Sequence, residues 1–404
     1  MERVAKGVVM SSNSLVPARR GLKRTVGLIT VGVLALGLSA CEAPFDSPAN
    51  SSQIVKVEES VTSDGWKYEL FRNLAFPCSL EGYQTFVIAS KVGDSASTSR
   101  PLWVRMRGGG SGWFEADRTP FQGGENMTED GMTILRSQLR QPGLSTRIRN
   151  HPAGFRGLAV SMCNRDTYGG ANNPDPNNFD ANGKQRTTNG LLATKAAIQF
   201  TLVRHATSDF FLAGGSAGSA GTYHVGWSLE EQGLAPAGIV ADGGIRNDAW
   251  ETARLAQGIC NSPYGSPEWE AKFSPRVHSQ LRAPAAQPHL LVASGQLTVP
   301  VMQVWTHGDA TTCADVPMSC PIPGAPSVTM GASDCKNEPL RAAIVAQGPS
   351  GRSKSLGVCV TNGATPCNVH VSTRLELPNT DPALPADYLS LITDWVEDRL
   401  ADGS

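Results

Sequence analysis

Apolar residues in this chain gather in short runs that alternate with stretches of helical spacing. Trp66 to Phe71 and Thr85 to Ala89 read as strands of alternating or continuous apolar character. Leu102 to Met106 and Leu158 to Met162 read as further strands, the second leading into a polar loop and an Asn/Pro/Asp-rich excursion through Gly183. Between Leu191 and His205 the period changes, because Leu192, Ala196, Gln199, Phe200 and Val203 recur in near register on one helix face. Phe210, Phe211 and Leu212 then predict a buried strand, and Tyr223, Val225, Trp227 and Leu229 the helix after it. Strands follow over Gly238 to Ala241, Val299 to Trp305 and Leu356 to Val360, and an amphipathic helix over Pro385 to Leu400 closes the chain. Strands alternating with helices imply an α/β fold over residues 66–404, with a mostly parallel sheet, helices on both faces and cap-like loop excursions. Chemistry then sits on loops at the strands' carboxyl ends.

The first 65 residues break this pattern. Residues 1–24 carry six basic side chains against Glu2, and an apolar run from Thr25 to Ala40 follows. At 16 residues this run is short of the about 20 that a membrane-spanning helix needs, and it ends in Leu38-Ser-Ala-Cys41. Residues 1–40 therefore read as an export signal. The tetrapeptide resembles the lipobox of bacterial lipoproteins, in which the cysteine is lipidated and becomes the mature N-terminus; an ordinary signal peptide cut near Ala40 is the alternative. From Cys41 to Gly65 the chain is rich in Ser, Pro and acids, the composition of a flexible tether. The resemblance implies a membrane partner reached through lipid on Cys41, and Glu42 behind it implies outer-membrane or surface placement.

Loss of the six basic residues and Glu2 from 35 Lys+Arg and 36 Asp+Glu leaves the mature chain a net charge of −6. With no basic cluster, such a chain has no electrostatic purchase on phosphate, and nucleic acid is excluded as a partner class. Eight cysteines remain beside Cys41, and an even count in an exported chain predicts disulfides, with Cys359 and Cys367 placed to close a short loop. Neither Cys-x-x-Cys nor His-Glu-x-x-His occurs, so no metal is expected.

The candidate chemistry centres on Gly214-Gly-Ser216-Ala-Gly218, where a strand runs into a helix through a turn too tight for side chains two residues either side of the serine. Ser216 is the candidate nucleophile; Ser219, in a near-copy of the pattern, lies three residues too far from the strand end. A serine hydroxyl needs a histidine to take its proton and a carboxylate to orient that histidine. Asp309 stands in a glycine-containing turn after a strong strand, with Asp242 its rival in the same situation one strand earlier. Of the seven histidines only His370 follows Asp309, between the last strand and the closing helix. The order Ser, acid, His is that of α/β-hydrolases. For the oxyanion the N–H of Ala217 and those of Gly110 and Ser111, in the glycine loop after Met106, are the candidates.

With these pieces the chain resembles the pectin acetylesterase and Notum family of carboxylesterases. Arg107-Gly-Gly-Gly-Ser-Gly-Trp113 is similar to that family's Gly-Gly-Gly-x-Cys-Trp loop, and Cys163-Asn-Arg-Asp-Thr-Tyr-Gly-Gly170 to its Cys-Thr-Gly-Asp-Val-His-x-Gly motif. Asp242-Gly-Gly and Asp309 fall where the family has an Asp-Ser-Gly turn and its acid. Gly112 stands in place of a family cysteine, and Tyr168 in place of its histidine. The resemblance implies an α/β-hydrolase fold and a cofactor-free serine esterase that removes a short acyl group, acetyl first among them, from a polysaccharide such as pectin. The other reading is a surface lipoprotein that keeps the hydrolase scaffold only to bind.

Overall fold

Alternation within each strand decides which layer of the molecule it feeds. The structure, a computed structural model, describes residues 42–121, 127–260, 265–322, 324–348 and 350–402. The proposed signal peptide and Cys41 lie outside the described residues. The chain runs through β1 (Ile54–Val61), β2 (Trp66–Pro77), β3 (Tyr83–Lys91), β4 (Leu102–Met106), α1 (Met132–Leu139), α2 (Leu144–Arg149) and β5 (Arg156–Val160). A hairpin of β6 (Asn173–Phe179) and β7 (Gln185–Thr188) precedes α3 (Gly190–Arg204), β8 (Phe210–Gly215), α4 (Ala217–Glu231) and β9 (Gly238–Asp242). Then come α5 (Asp248–Ala256), α6 (Pro267–Phe273), α7 (Ser279–Arg282), α8 (Pro288–Ser294) and β10 (Val301–Thr306). A second hairpin, β11 (Pro317–Ile322) and β12 (Ala325–Gly331), leads to α9 (Ala332–Ala346), β13 (Lys354–Val358) and α10 (Tyr388–Asp402).

Nine strands form one sheet in the order β1-β2-β3-β5-β4-β8-β9-β10-β13. The pairs from β1 to β5 are antiparallel, and every pair from β5 through β13 is parallel. Leu102, Val104 and Met106 of β4, Leu212 of β8 and Ile239 of β9 point into one core with residues of α3 and α4. Their neighbours Trp103, Phe211, Ala213 and Val240 point into a second core with α2 and α10. Strands buried on both faces are apolar at nearly every position, which is why β4, β8 and β10 read as continuous runs in the sequence. This is the α/β-hydrolase fold. The eight cysteines pair as Cys78–Cys163, Cys260–Cys313, Cys320–Cys335 and Cys359–Cys367.

The expected flexible tether is corrected by the structure. Residues 54–61 are the edge strand of the main sheet, paired antiparallel to β2. Ahead of them Ala43 donates to the Ala171 carbonyl at 2.9 Å, and the Glu42 carboxylate accepts from the Ser279 amide and Asn173 Nδ2. Phe45 is buried with its ring 4.8 Å from that of Trp227, and its carbonyl accepts from buried Lys195 and from Ser228. Polar composition misled here because an edge strand exposes most of its side chains, and one aromatic plug suffices to dock the segment before it. Among the described residues no helix is long and apolar enough to cross a membrane.

Candidate active site

The strand-to-helix turn between β8 and α4 carries Ser216 at φ +56° and ψ −125°, a strained conformation for a non-glycine residue. Two flanking glycines make the turn possible. A Cβ on Gly214 would lie 2.7 Å from the Ser219 amide nitrogen, and one on Gly218 2.8 Å from the Arg107 carbonyl. Ser216 donates its amide to the Asp242 carbonyl at 2.9 Å, pinning the turn to β9. Its side chain opens into a cavity of about 930 Å³. Ser219 is buried, and its hydroxyl donates to the Gly244 carbonyl at 2.6 Å.

The same cavity is lined by His370, Gly108, Gly109, Gly110, Ser111 and Ala217. Ala217 opens α4, so its N–H has no carbonyl a turn earlier to bond. Gly110 sits at φ +72°, a backbone that bends the loop beside the elbow, and a Cβ on Gly108 would meet that of Ser216 at 3.1 Å. Gly112 is not a free donor, for its amide bonds the Arg165 carbonyl. Trp269 of α6 closes one side, its indole N–H reaching the Ser111 hydroxyl at 3.2 Å.

Asp309 lies just past β10 and caps a short 3-10 turn. One carboxylate oxygen accepts from the amide and hydroxyl of Thr311, each at 2.8 Å, and the other lies 2.7 Å from His370 Nδ1. Thr311 Oγ1 is also 2.8 Å from that nitrogen. With Nδ1 turned to the acid, Nε2 is the nitrogen left for the cavity. The two loops are joined further, because Gly308 donates to the carbonyl of Cys367, inside the Cys359–Cys367 loop. Thr311 is a partner that sequence reasoning missed; an Asp-x-Thr turn was its only trace.

Asp242, the rival acid, is fully buried and makes no bond to His370. Its Oδ2 accepts from the Thr373 amide at 2.7 Å and faces the Ser372 hydroxyl at 3.4 Å, while Oδ1 has no partner among the described residues. Burial pushes its carboxyl up to about 6, against the opposing pull of the Thr373 hydrogen bond, His370 and Arg105. His307 points elsewhere, with Nδ1 2.6 Å from Asp334 and Nε2 3.1 Å from Asp381. Tyr168, the departure from the family motif, is buried behind the glycine loop, and its hydroxyl donates to the Arg107 carbonyl at 3.1 Å. Among the described residues no cluster of metal-ligating side chains occurs.

No family model and no curated protein matches the chain. Among solved structures it is similar to a fungal esterase from Rhizomucor miehei, at 14% identity over 88% of this chain and 87% of that one, with a TM-score of 0.43. Vibralactone cyclase is similar at 10% identity over 85% and 82%, with a TM-score of 0.44. A thermostable esterase from Pseudomonas putida is similar at 12% identity over 88% and 83%, with a TM-score of 0.39. The likeness is distant, and the fold rests on the strand order and the strand-to-helix turn at Ser216.

Proposed function

We propose that the protein is an exported serine carboxylesterase that removes a short acyl group, acetyl in the first instance, from a hydroxyl of a polysaccharide such as pectin. The observation that carries this reading is the convergence of Ser216 and of the His370–Asp309 pair, 2.7 Å apart, on one cavity. In the reaction Ser216 Oγ attacks the acyl carbonyl carbon while its proton passes to His370 Nε2. Asp309 holds the ring and balances its charge. The oxyanion takes hydrogen bonds from the amides of Ala217, Gly110 and Ser111. Collapse expels the sugar alkoxide, which leaves with the proton from His370. Water repeats the sequence on the acyl-enzyme, freeing the acid and Ser216. None of these steps calls for a cofactor.

The four disulfides fit an oxidising compartment, in keeping with export. We further propose lipid attachment at Cys41 and outer-membrane or surface placement. Because residues 42–46 are docked on the domain, a lipid there would hold the enzyme close to the bilayer rather than on a leash.

An active-site serine phosphonate tests the assignment. Peptide mapping is expected to find the adduct on Ser216 in wild type and none in Ser216→Ala, while Ser219→Ala labels normally. A folded wild-type protein that takes no label would leave the binding-scaffold reading instead.

A further inference from the structure

The cavity wall extends well past the nucleophile. Ala217, Ala220 and His224 line it from one stripe of α4, at the three- and four-residue spacing that keeps side chains on one helix face. His224 is eight residues beyond Ser216, about 12 Å along the helix axis. Its Nδ1 lies 3.0 Å from the Thr167 carbonyl oxygen. A carbonyl can only accept, so Nδ1 carries the hydrogen, and in the neutral ring Nε2 is then a bare acceptor. Burial keeps the ring neutral, pushing its pKa down to about 4.

The carbonyl that fixes this tautomer is itself held firmly. Thr167 and Tyr168 both sit at positive φ, and the buried Asp166 carboxylate secures the loop by accepting from the amides of Tyr168, Gly170 and Gly190. Among the described residues Nε2 has no partner. Arg246, the nearby cation, is committed to Asp248 and to the carbonyls of Leu281 and Ala283.

We propose that His224 determines specificity by accepting, at Nε2, a hydrogen bond from a hydroxyl of the carbohydrate that bears the ester. This rests on the esterase reading above. A ring nitrogen that can only accept favours a hydroxyl and disfavours a carboxylate or phosphate, which bring no donor. It thus selects neutral hydroxyl-bearing surface of the substrate at the far end of the cavity.

The test compares acetylated pectin oligosaccharides with p-nitrophenyl acetate, which has no donor to offer Nε2. In His224→Phe and His224→Leu the ratio of kcat/KM, oligosaccharide over p-nitrophenyl acetate, is expected to fall about tenfold, the usual cost of leaving one substrate hydroxyl unpaired. The fall should come through KM, and His224→Gln, whose amide oxygen accepts, should recover most of the ratio. An unchanged ratio in both apolar variants overturns the assignment, whatever happens to the absolute rates. Wild type separates the two claims: if it hydrolyses neither substrate, the esterase reading falls and this one with it, whereas an unchanged ratio in active variants overturns this one alone.

Discussion

Asp242 and Asp309 lie at or just past the carboxyl ends of neighbouring strands of one sheet, each beside glycine, yet their carboxylates meet opposite fates. Asp309 stands one turn beyond its strand, where Thr311 satisfies one oxygen and His370 the other. Asp242 is the last residue of its strand and faces inward. It bonds the backbone behind the histidine rather than the histidine, and one oxygen is left without a partner. The difference teaches that an acid's role here is set by a few residues of reach past the strand end. Strand position brings both carboxylates near the loops that carry Ser216 and His370, and only the longer turn aims one of them at imidazole Nδ1.

The comparison breaks first at Asp309. Asp309→Asn keeps the turn but offers an amide to Nδ1, fixing the wrong tautomer, and kcat for p-nitrophenyl acetate should fall by about 10⁴, the loss known for the serine-protease triad. A loss of similar size in Asp242→Asn, measured in parallel, would erase the distinction between the two acids.

Asp242→Asn should instead show itself in stability. Burial pushes the Asp242 carboxyl up to about 6 from its ordinary value of 3.8, so the folded state holds this proton more tightly than the unfolded one. Asp242 therefore favours folding most below about pH 4, and that advantage is lost as pH rises through about 6. An asparagine cannot ionise and keeps its amide oxygen for the Thr373 N–H. The unfolding free energy of the variant relative to wild type should accordingly rise by about 2 kcal/mol between pH 4 and pH 7. Urea titrations at the two pH values check this, and a difference that does not move with pH would mean that the buried carboxylate is compensated.

The smallest effect is expected at Thr311. Thr311→Val deletes the hydroxyl shared by Asp309 and His370 but keeps the amide that bonds Asp309, so the acid stays in place. Activity should fall about tenfold, the cost of one hydrogen bond to a charged group. A loss approaching that of Asp309→Asn would make Thr311 a full partner in aligning the histidine.

Much of this was legible in the residues themselves. Strands buried on both faces cannot hide in a sequence, and β4, β8, β9 and β10 announce themselves as apolar runs, whereas β13 begins at exposed Lys354, two residues before the Leu356 at which its apolar run starts. The elbow was legible because its geometry excludes side chains at Gly214 and Gly218, so local sterics alone demand the pattern. Less visible were β1, whose exposed edge gives it a polar face, and the β6–β7 and β11–β12 hairpins, which are held by contacts remote in the chain. The buried pair of Arg276 with Asp175, 2.7 Å apart, is one such contact, and no local pattern marks it.

Sequence by itself thus determined the fold class, the strand-to-helix turn at Ser216 and the order in which Ser216, Asp309 and His370 occur, because periodicity and close backbone approach act between near neighbours. Only the tertiary structure decided which of two equivalent aspartates faces His370, that residues 42–61 are built into the domain, and that His224, on the cavity wall, turns Nδ1 to the Thr167 carbonyl. Those outcomes depend on distances of about 3 Å between residues tens to hundreds of positions apart, the scale on which hydrogen bonds form.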